Sequence, residues 1–310
     1  MNRRLLAVCF VLLSLALTTP VSNAQPQALV DRFEERVFNY TGGRYQNAEI
    51  RYRLHVPERI QSGRRYPLII HLHGVGEAGA CNRHSLLYLD SIMPLMDRQD
   101  FFMLVTQCPR DERHWFFRPT QDGTLDVLVA IMEHVIAENP IDRRRITATG
   151  VSSGGWGVWE LALRHPDLLA GAVPTACSAP RQLQRLATLT QTPIWVIVNS
   201  GDRAIDFESN RMAMGVINRA GGSMAVTEHD ASGHNAWIPA MTTYNCFQWM
   251  LAQRRGSWFA PPPGTVVHDE PRSLLMVFLL YILPLSIIAF LAFMSWGTIC
   301  ETVREWLGWD

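Results

Sequence analysis

Between residues 32 and 255, short apolar runs alternate with stretches in which apolar residues recur at helical spacing. Ile50 to Val56 alternates apolar and polar side chains, the period of a strand with one exposed face. Pro67 to Leu72 and Phe101 to Val105 are continuous apolar runs, which suit strands buried on both faces. Leu125, Leu128, Val129, Met132, Val135 and Ile136 share one face of a helix predicted over Leu125 to Ile136. Ile146 to Thr149, Ala170 to Val173, Ile194 to Val198 and Met224 to Thr227 read as further strands. Trp156 to Arg164 reads as a helix stopped by Pro166, and helices are predicted over Glu208 to Asn218 and Trp237 to Gln253. Strand–helix units repeated in this way imply an α/β domain, a mostly parallel central sheet with helices on both faces. Sites in such sheets form at the carboxyl ends of the strands.

The two ends of the chain follow a different pattern. Arg3 and Arg4 precede a 13-residue run, Leu5 to Leu17, in which only Ser14 is polar. With Ser22-Asn23-Ala24 behind it, the run has the form of a secretory signal over residues 1–24, cleaved after Ala24. An uncleaved N-terminal anchor is the alternative. Leu274 to Met294 is interrupted only by Tyr281, Pro284 and Ser286, and no charge falls between Ser273 and Cys300. A run of about 20 apolar residues spans a bilayer core, so residues 273–296 are expected to form a transmembrane helix. The Pro-rich stretch 257–272, with Pro261-Pro262-Pro263, is a semi-rigid spacer, and 297–310 is a polar tail. Export followed by stop-transfer predicts a single-pass membrane protein. The domain, residues 25–256, would face the periplasm or cell exterior, with the tail in the cytoplasm.

Composition narrows the classes. The chain has 310 residues with 28 basic and 28 acidic side chains, and every basic one is arginine. That balance argues against a nucleic-acid binder acting through a general basic field. An apolar share of 48% excludes a disordered chain. Six cysteines are too few for a disulfide scaffold. Four of them, Cys81, Cys108, Cys177 and Cys246, fall in the exported domain, where both disulfides and buried free thiols remain open.

Gly150-Val151-Ser152-Ser153-Gly154 matches G-x-S-x-G between a predicted strand and a predicted helix. The sharp strand-to-helix turn needs small neighbours, and it lifts the central serine above the sheet at a helix N-terminus. Ser152 is therefore the candidate nucleophile. A serine needs a base, and where such a turn carries one the chain order is nucleophile, acid, histidine. His234, in Ser232-Gly233-His234-Asn235-Ala236-Trp237, opens a helix from a short loop and is favoured as the base. His229, near a strand end, competes with it, whereas His165 and His268 lie at a helix end and in the spacer. The acid is expected after the strand Ile194 to Asn199, where Asp202 is favoured and Asp206 is the alternative. Oxyanion donors are expected at the backbone N–H of Ser153 and in the loop Leu72 to Glu77, at Val75 or else Gly76. His71 and His73 sit two apart, which suits packing better than a metal site, because no third ligand pattern accompanies them. His114, Trp115, Phe116 and Phe117 are candidates either for the pocket lining or for the core.

Tyr52 to Pro57, Tyr66 to Ile69, His71 to Glu77, Gln107-Cys108-Pro109, the Ser152 turn, Gly233-His234-Asn235 and Gln248 to Arg255 together resemble bacterial secreted α/β-hydrolases. These are the esterase or "predicted peptidase" group, related to polyhydroxybutyrate depolymerases and dienelactone hydrolases. The resemblance runs from about Arg51 to Arg255 and implies an α/β-hydrolase fold with a Ser152–Asp202–His234 triad. The chain departs from the group at three places. Asn199-Ser200 replaces a histidine-glycine pair before the acid, Ser153 replaces a methionine, and Cys177-Ser178-Ala179 replaces a cysteine followed by glycines. The expected activity is hydrolysis of a small or polymeric ester through an acyl-serine, with no metal or organic cofactor. The alternatives are a serine peptidase of the same fold, a silent ligand- or partner-binding domain, and a tail that serves as an interaction segment.

Overall fold

Alternating apolar strands build one sheet whose two faces carry separate cores. A computed structural model describes residues 27–79, 81–86, 88–108, 115 and 123–257. The signal, the transmembrane helix, the tail, the spacer beyond Ser257, and His114, Phe116 and Phe117 lie outside these residues. Among the described residues no helix is long and apolar enough to cross a membrane.

The strands are β1 (Glu34–Gly42), β2 (Tyr45–His55), β3 (Tyr66–Leu72), β4 (Phe102–Thr106), β5 (Ile141–Val151), β6 (Gly171–Thr175), β7 (Ile194–Gly201) and β8 (Met224–Ser232). The helices are α1 (Gln27–Val30), α2 (Met93–Met96), α3 (Thr124–Glu138), α4 (Ser153–Arg164), α5 (Leu183–Leu186), α6 (Phe207–Arg219), α7 (Trp237–Thr242) and α8 (Cys246–Ala252). The sheet order is β1-β2-β4-β3-β5-β6-β7-β8. β1 and β2 pair antiparallel, as do β2 and β4. From β4 onward every neighbouring pair is parallel.

Successive side chains of a strand point to opposite faces. In β3, Leu68, Ile70 and Leu72 join one core while Ile69 joins the other. In β7, Ile194, Val196 and Val198 go to the first core, and Trp195 and Ile197 to the second. The first core is closed by the apolar faces of α3, α4 and α6, through Leu128, Val158 and Ile217. The second is closed by α1, α2 and α8, through Leu29, Met96 and Phe247. This two-sided burial explains the continuous apolar runs in β3 and β4.

Besides the single-turn helices α1, α2 and α5, two further elements differ from the sequence expectation. β1 was not expected, because Glu34–Gly42 is an edge strand with charged and half-buried positions and no buried one. The single helix expected over Trp237 to Gln253 is two helices. Asn245 takes a left-handed backbone, φ 51°, and the N–H groups of Thr243 and Tyr244 both fold back on the Pro239 carbonyl.

Candidate active site

The strand-to-helix turn is built by steric exclusion. Ser152 follows β5 with φ 53° and ψ −112°, a strained conformation for a residue bearing a Cβ. Glycines on either side permit it. A Cβ on Gly150 would overlap the Gly154 carbonyl, and a Cβ on Gly154 would overlap the Leu72 carbonyl oxygen at the end of β3. The turn is then pinned to β6. The Ser152 N–H donates to the Thr175 carbonyl at 3.0 Å, and the Thr175 hydroxyl donates to the Gly150 carbonyl at 2.9 Å.

The sequence candidates for base and acid meet at this turn. His234 Nε2 lies 2.8 Å from Ser152 Oγ, and His234 Nδ1 lies 2.7 Å from Asp202 Oδ2. The Asp202 side chain is 1% exposed and that of His234 34%, so the carboxylate is enclosed while the imidazole faces the opening. The second carboxylate oxygen, Oδ1, accepts the Ala204 N–H at 2.9 Å. This leaves Oδ2 aimed at the histidine.

The competing residues have other partners. His229 Nδ1 is 3.1 Å from the Tyr244 hydroxyl. Asp206 caps α6 by accepting from Ser209 N–H, and it pairs with Arg181 at 3.2 Å. Its own N–H is held by Ser178 Oγ at 2.8 Å, so the Cys177-Ser178-Ala179 loop is fastened to the start of α6.

Ser153 opens α4, and Val75 opens a short 3-10 turn, Val75–Glu77, after β3. The loop that carries Val75 is clamped by His73. His73 Nδ1–H donates to the Gly74 carbonyl at 2.7 Å, and Nε2 accepts the Cys108 N–H at 2.9 Å. The Trp115 indole N–H donates to the His73 carbonyl at 2.9 Å, and Gln107 donates to the Glu77 carbonyl at 2.9 Å. Burial lowers the His73 pKa to about 4, which keeps the ring neutral and able to accept. His71, wholly enclosed behind it, is lowered to about 3 by burial and by its neighbour His73. Burial raises the Glu77 carboxyl in the same loop, while the N–H groups of Gly74 and Glu77 pull it back down. Among the described residues, no group of three or more His, Cys, Asp and Glu side chains is arranged to hold a metal ion. Trp115 is 2% exposed and packs edge-on against His73, so it is a core residue that supports the loop rather than a pocket wall.

No family model matches the chain, and no curated protein matches it. Solved structures do. A thermostable esterase superposes with a TM-score of 0.66 at 27% identity, over 74% of this chain and 64% of its own. A Pyrococcus horikoshii acylaminoacyl peptidase gives 0.55 at 16% identity, over 77% of this chain and 45% of that one. A Staphylococcus aureus fluorophosphonate-binding serine hydrolase, solved with substrate bound, gives 0.53 at 14%, over 71% and 98%. The fold is that of the α/β-hydrolases. The chain spans less than two thirds of the length of the esterase.

Within this α/β-hydrolase fold, two supports were not legible as such in the sequence. Asn199, with Ser200, stands where the resembled group has a histidine-glycine pair. Its amide donates to the Gly233 carbonyl at 2.8 Å and to Asn235 Oδ1 at 2.7 Å, on both sides of His234. It ties the end of β7, next to Asp202, to the loop that carries His234. The second support is aromatic. The Trp237 ring stands edge-on to His234, with centroids 5.9 Å apart. The signal for the first is an amide at the last buried position of a strand beside the acid, and for the second an aromatic residue three positions after the histidine.

Proposed function

We propose that this chain is an exported, membrane-anchored serine hydrolase that cleaves carboxylic esters. The observation that carries the reading is the bridge His234 makes, within hydrogen-bond reach of Ser152 on one side and of buried Asp202 on the other. In this reading Ser152 Oγ attacks the ester carbonyl while His234 Nε2 takes its proton. Asp202 accepts from Nδ1–H, which sets the tautomer and stabilises the imidazolium. The tetrahedral oxyanion is held by the N–H groups of Ser153 and Val75, with the dipole of α4 adding to the first. His234 then protonates the leaving alcohol, and the C–O bond breaks to leave acyl-Ser152. Water, deprotonated by the same histidine, releases the acid. Esterases and acylaminoacyl peptidases both occur among the structural neighbours, and the 27%-identical esterase favours the ester.

Location rests on the sequence: a signal over residues 1–24 and an apolar run, Leu274 to Met294, after the domain. The test uses full-length protein in detergent with a fluorophosphonate probe. Covalent labelling is expected on the unaltered protein and absent from Ser152→Ala. A folded, unaltered protein that stays unlabelled would overturn the reading.

A further inference from the structure

Beyond the groups that do the chemistry, the site carries an aromatic ledge. Tyr88 stands 5.2 Å, centroid to centroid, from the Trp237 ring, and Trp237 in turn stands against His234. The three rings form a continuous row that ends at the histidine.

Two features set Tyr88 apart. It is 44% exposed, although its ring, tilted against the indole, has an apolar body that could be buried. It also holds φ 70°, a left-handed backbone that is strained for a bulky residue. The connection between β3 and β4 therefore keeps a large aromatic ring in the open at the expense of backbone strain.

The position of the row decides what it would touch. The base protonates the leaving oxygen, so the alcohol portion of an ester must pass beside His234 Nε2. We propose that Tyr88 and Trp237 bind the alcohol side of the substrate, and that the preferred substrates are esters of aromatic alcohols. This rests on the hydrolase reading above. A flat ring laid on the ledge adds an aromatic contact worth about 0.5–1.5 kcal/mol beyond area burial, which is up to about a tenfold gain in kcat/KM. Short aliphatic alcohols leave the ledge uncovered and gain none of it.

The experiment compares benzyl butyrate with ethyl butyrate, which share an acyl group, on full-length protein whose Ser152 labels with fluorophosphonate. The expected result is a kcat/KM preference of about two- to tenfold for the benzyl ester. Tyr88→Asn removes the ring, and asparagine tolerates the left-handed backbone. In that variant the benzyl-to-ethyl ratio should fall towards one, whereas Tyr88→Phe should keep it. Equal turnover of the two esters by the unaltered protein would overturn the aromatic-alcohol assignment and leave the hydrolase reading standing. A preference that survives in a folded Tyr88→Asn would overturn the role of the ledge. Absence of both labelling and turnover would overturn the hydrolase reading and this inference with it.

Discussion

Ser152 is strained, His234 is half-covered and Asp202 is enclosed, and each condition follows from its immediate neighbours. The Ala204 N–H holds one oxygen of Asp202, which turns the other towards the ring. Asp202→Asn keeps the shape but offers the ring an amide in place of an acceptor. We expect kcat to fall by about a thousandfold or more with the fold intact, measured on any ester that the unaltered protein turns over. A decrease of only a few-fold would mean that another acid serves the histidine. Gly154→Ala tests the turn itself. Its methyl would meet the Leu72 carbonyl and lie 2.6 Å from the His73 carbonyl oxygen. Backbone must move, so a loss of about 2 kcal/mol in unfolding free energy is expected by denaturant titration. The residues of the turn and the histidine loop were readable in the sequence because each requires an unusual residue type in a short motif. Asp202 is favoured over Asp206 in the sequence by its place after the strand, and the structure adds that Asp206 is engaged in a helix cap and with Arg181.

At the level of elements, the site depends on loops being held at fixed positions above strand ends. Asn199 joins β7 to the His234 loop, and His73 joins the β3 loop to the end of β4. Asn199→Ala deletes two hydrogen bonds to the loop, worth about 1 kcal/mol each. We expect kcat to fall about tenfold with KM little changed, because the base is displaced while the substrate surface is not. An equal kcat with a raised KM would contradict a positioning role. The elements themselves were legible wherever burial is two-sided, as in β3, β4 and β7, because such strands leave long apolar runs. β1 escaped notice because an edge strand has no buried position to impose a pattern. The break between α7 and α8 escaped because Thr243, Tyr244 and Asn245 fit a helical spacing, and only the reversed backbone at Asn245 shows the helix has ended.

On the scale of the whole molecule, buried titratable groups link stability to solution conditions. His71 and His73 have folded pKa values of about 3 and about 4, against an ordinary value of 6.5. Below that ordinary value the unfolded chain binds protons that the folded chain refuses. Stability is therefore intact above it and declines as pH falls, by up to about 1.4 kcal/mol per pH unit for each histidine. The raised carboxyl of Glu77 opposes this, because the folded chain there holds a proton that the unfolded chain has lost. A melting temperature that decreases steadily from pH 6.5 to pH 5 is expected, and a flat profile would show that neither ring is buried neutral. Cys81 is exposed, whereas Cys108, Cys177 and Cys246 are buried. Burial pushes Cys108 and Cys246 up to about 12 and Cys177 also upward. Of these four, iodoacetamide should modify Cys81 alone in the folded protein, as read by peptide mass mapping. Modification of the other three before denaturation would contradict the packing.

One strand also decides how the domain is held. Ser152 follows the carboxyl end of β5, while Arg255 and Ser257 are fastened near its amino end. The Arg255 N–H bonds the Arg144 carbonyl at 2.7 Å, and the Arg144 guanidinium bonds the Arg255 carbonyl at 2.9 Å. Eight residues of strand separate Arg144 from Ser152, roughly 25 Å at 3.3 Å per residue. The last described residues are therefore held at the pole of the sheet opposite Ser152. A support coupled at Ser257 should leave Ser152 as open to a fluorophosphonate probe as it is in the free protein.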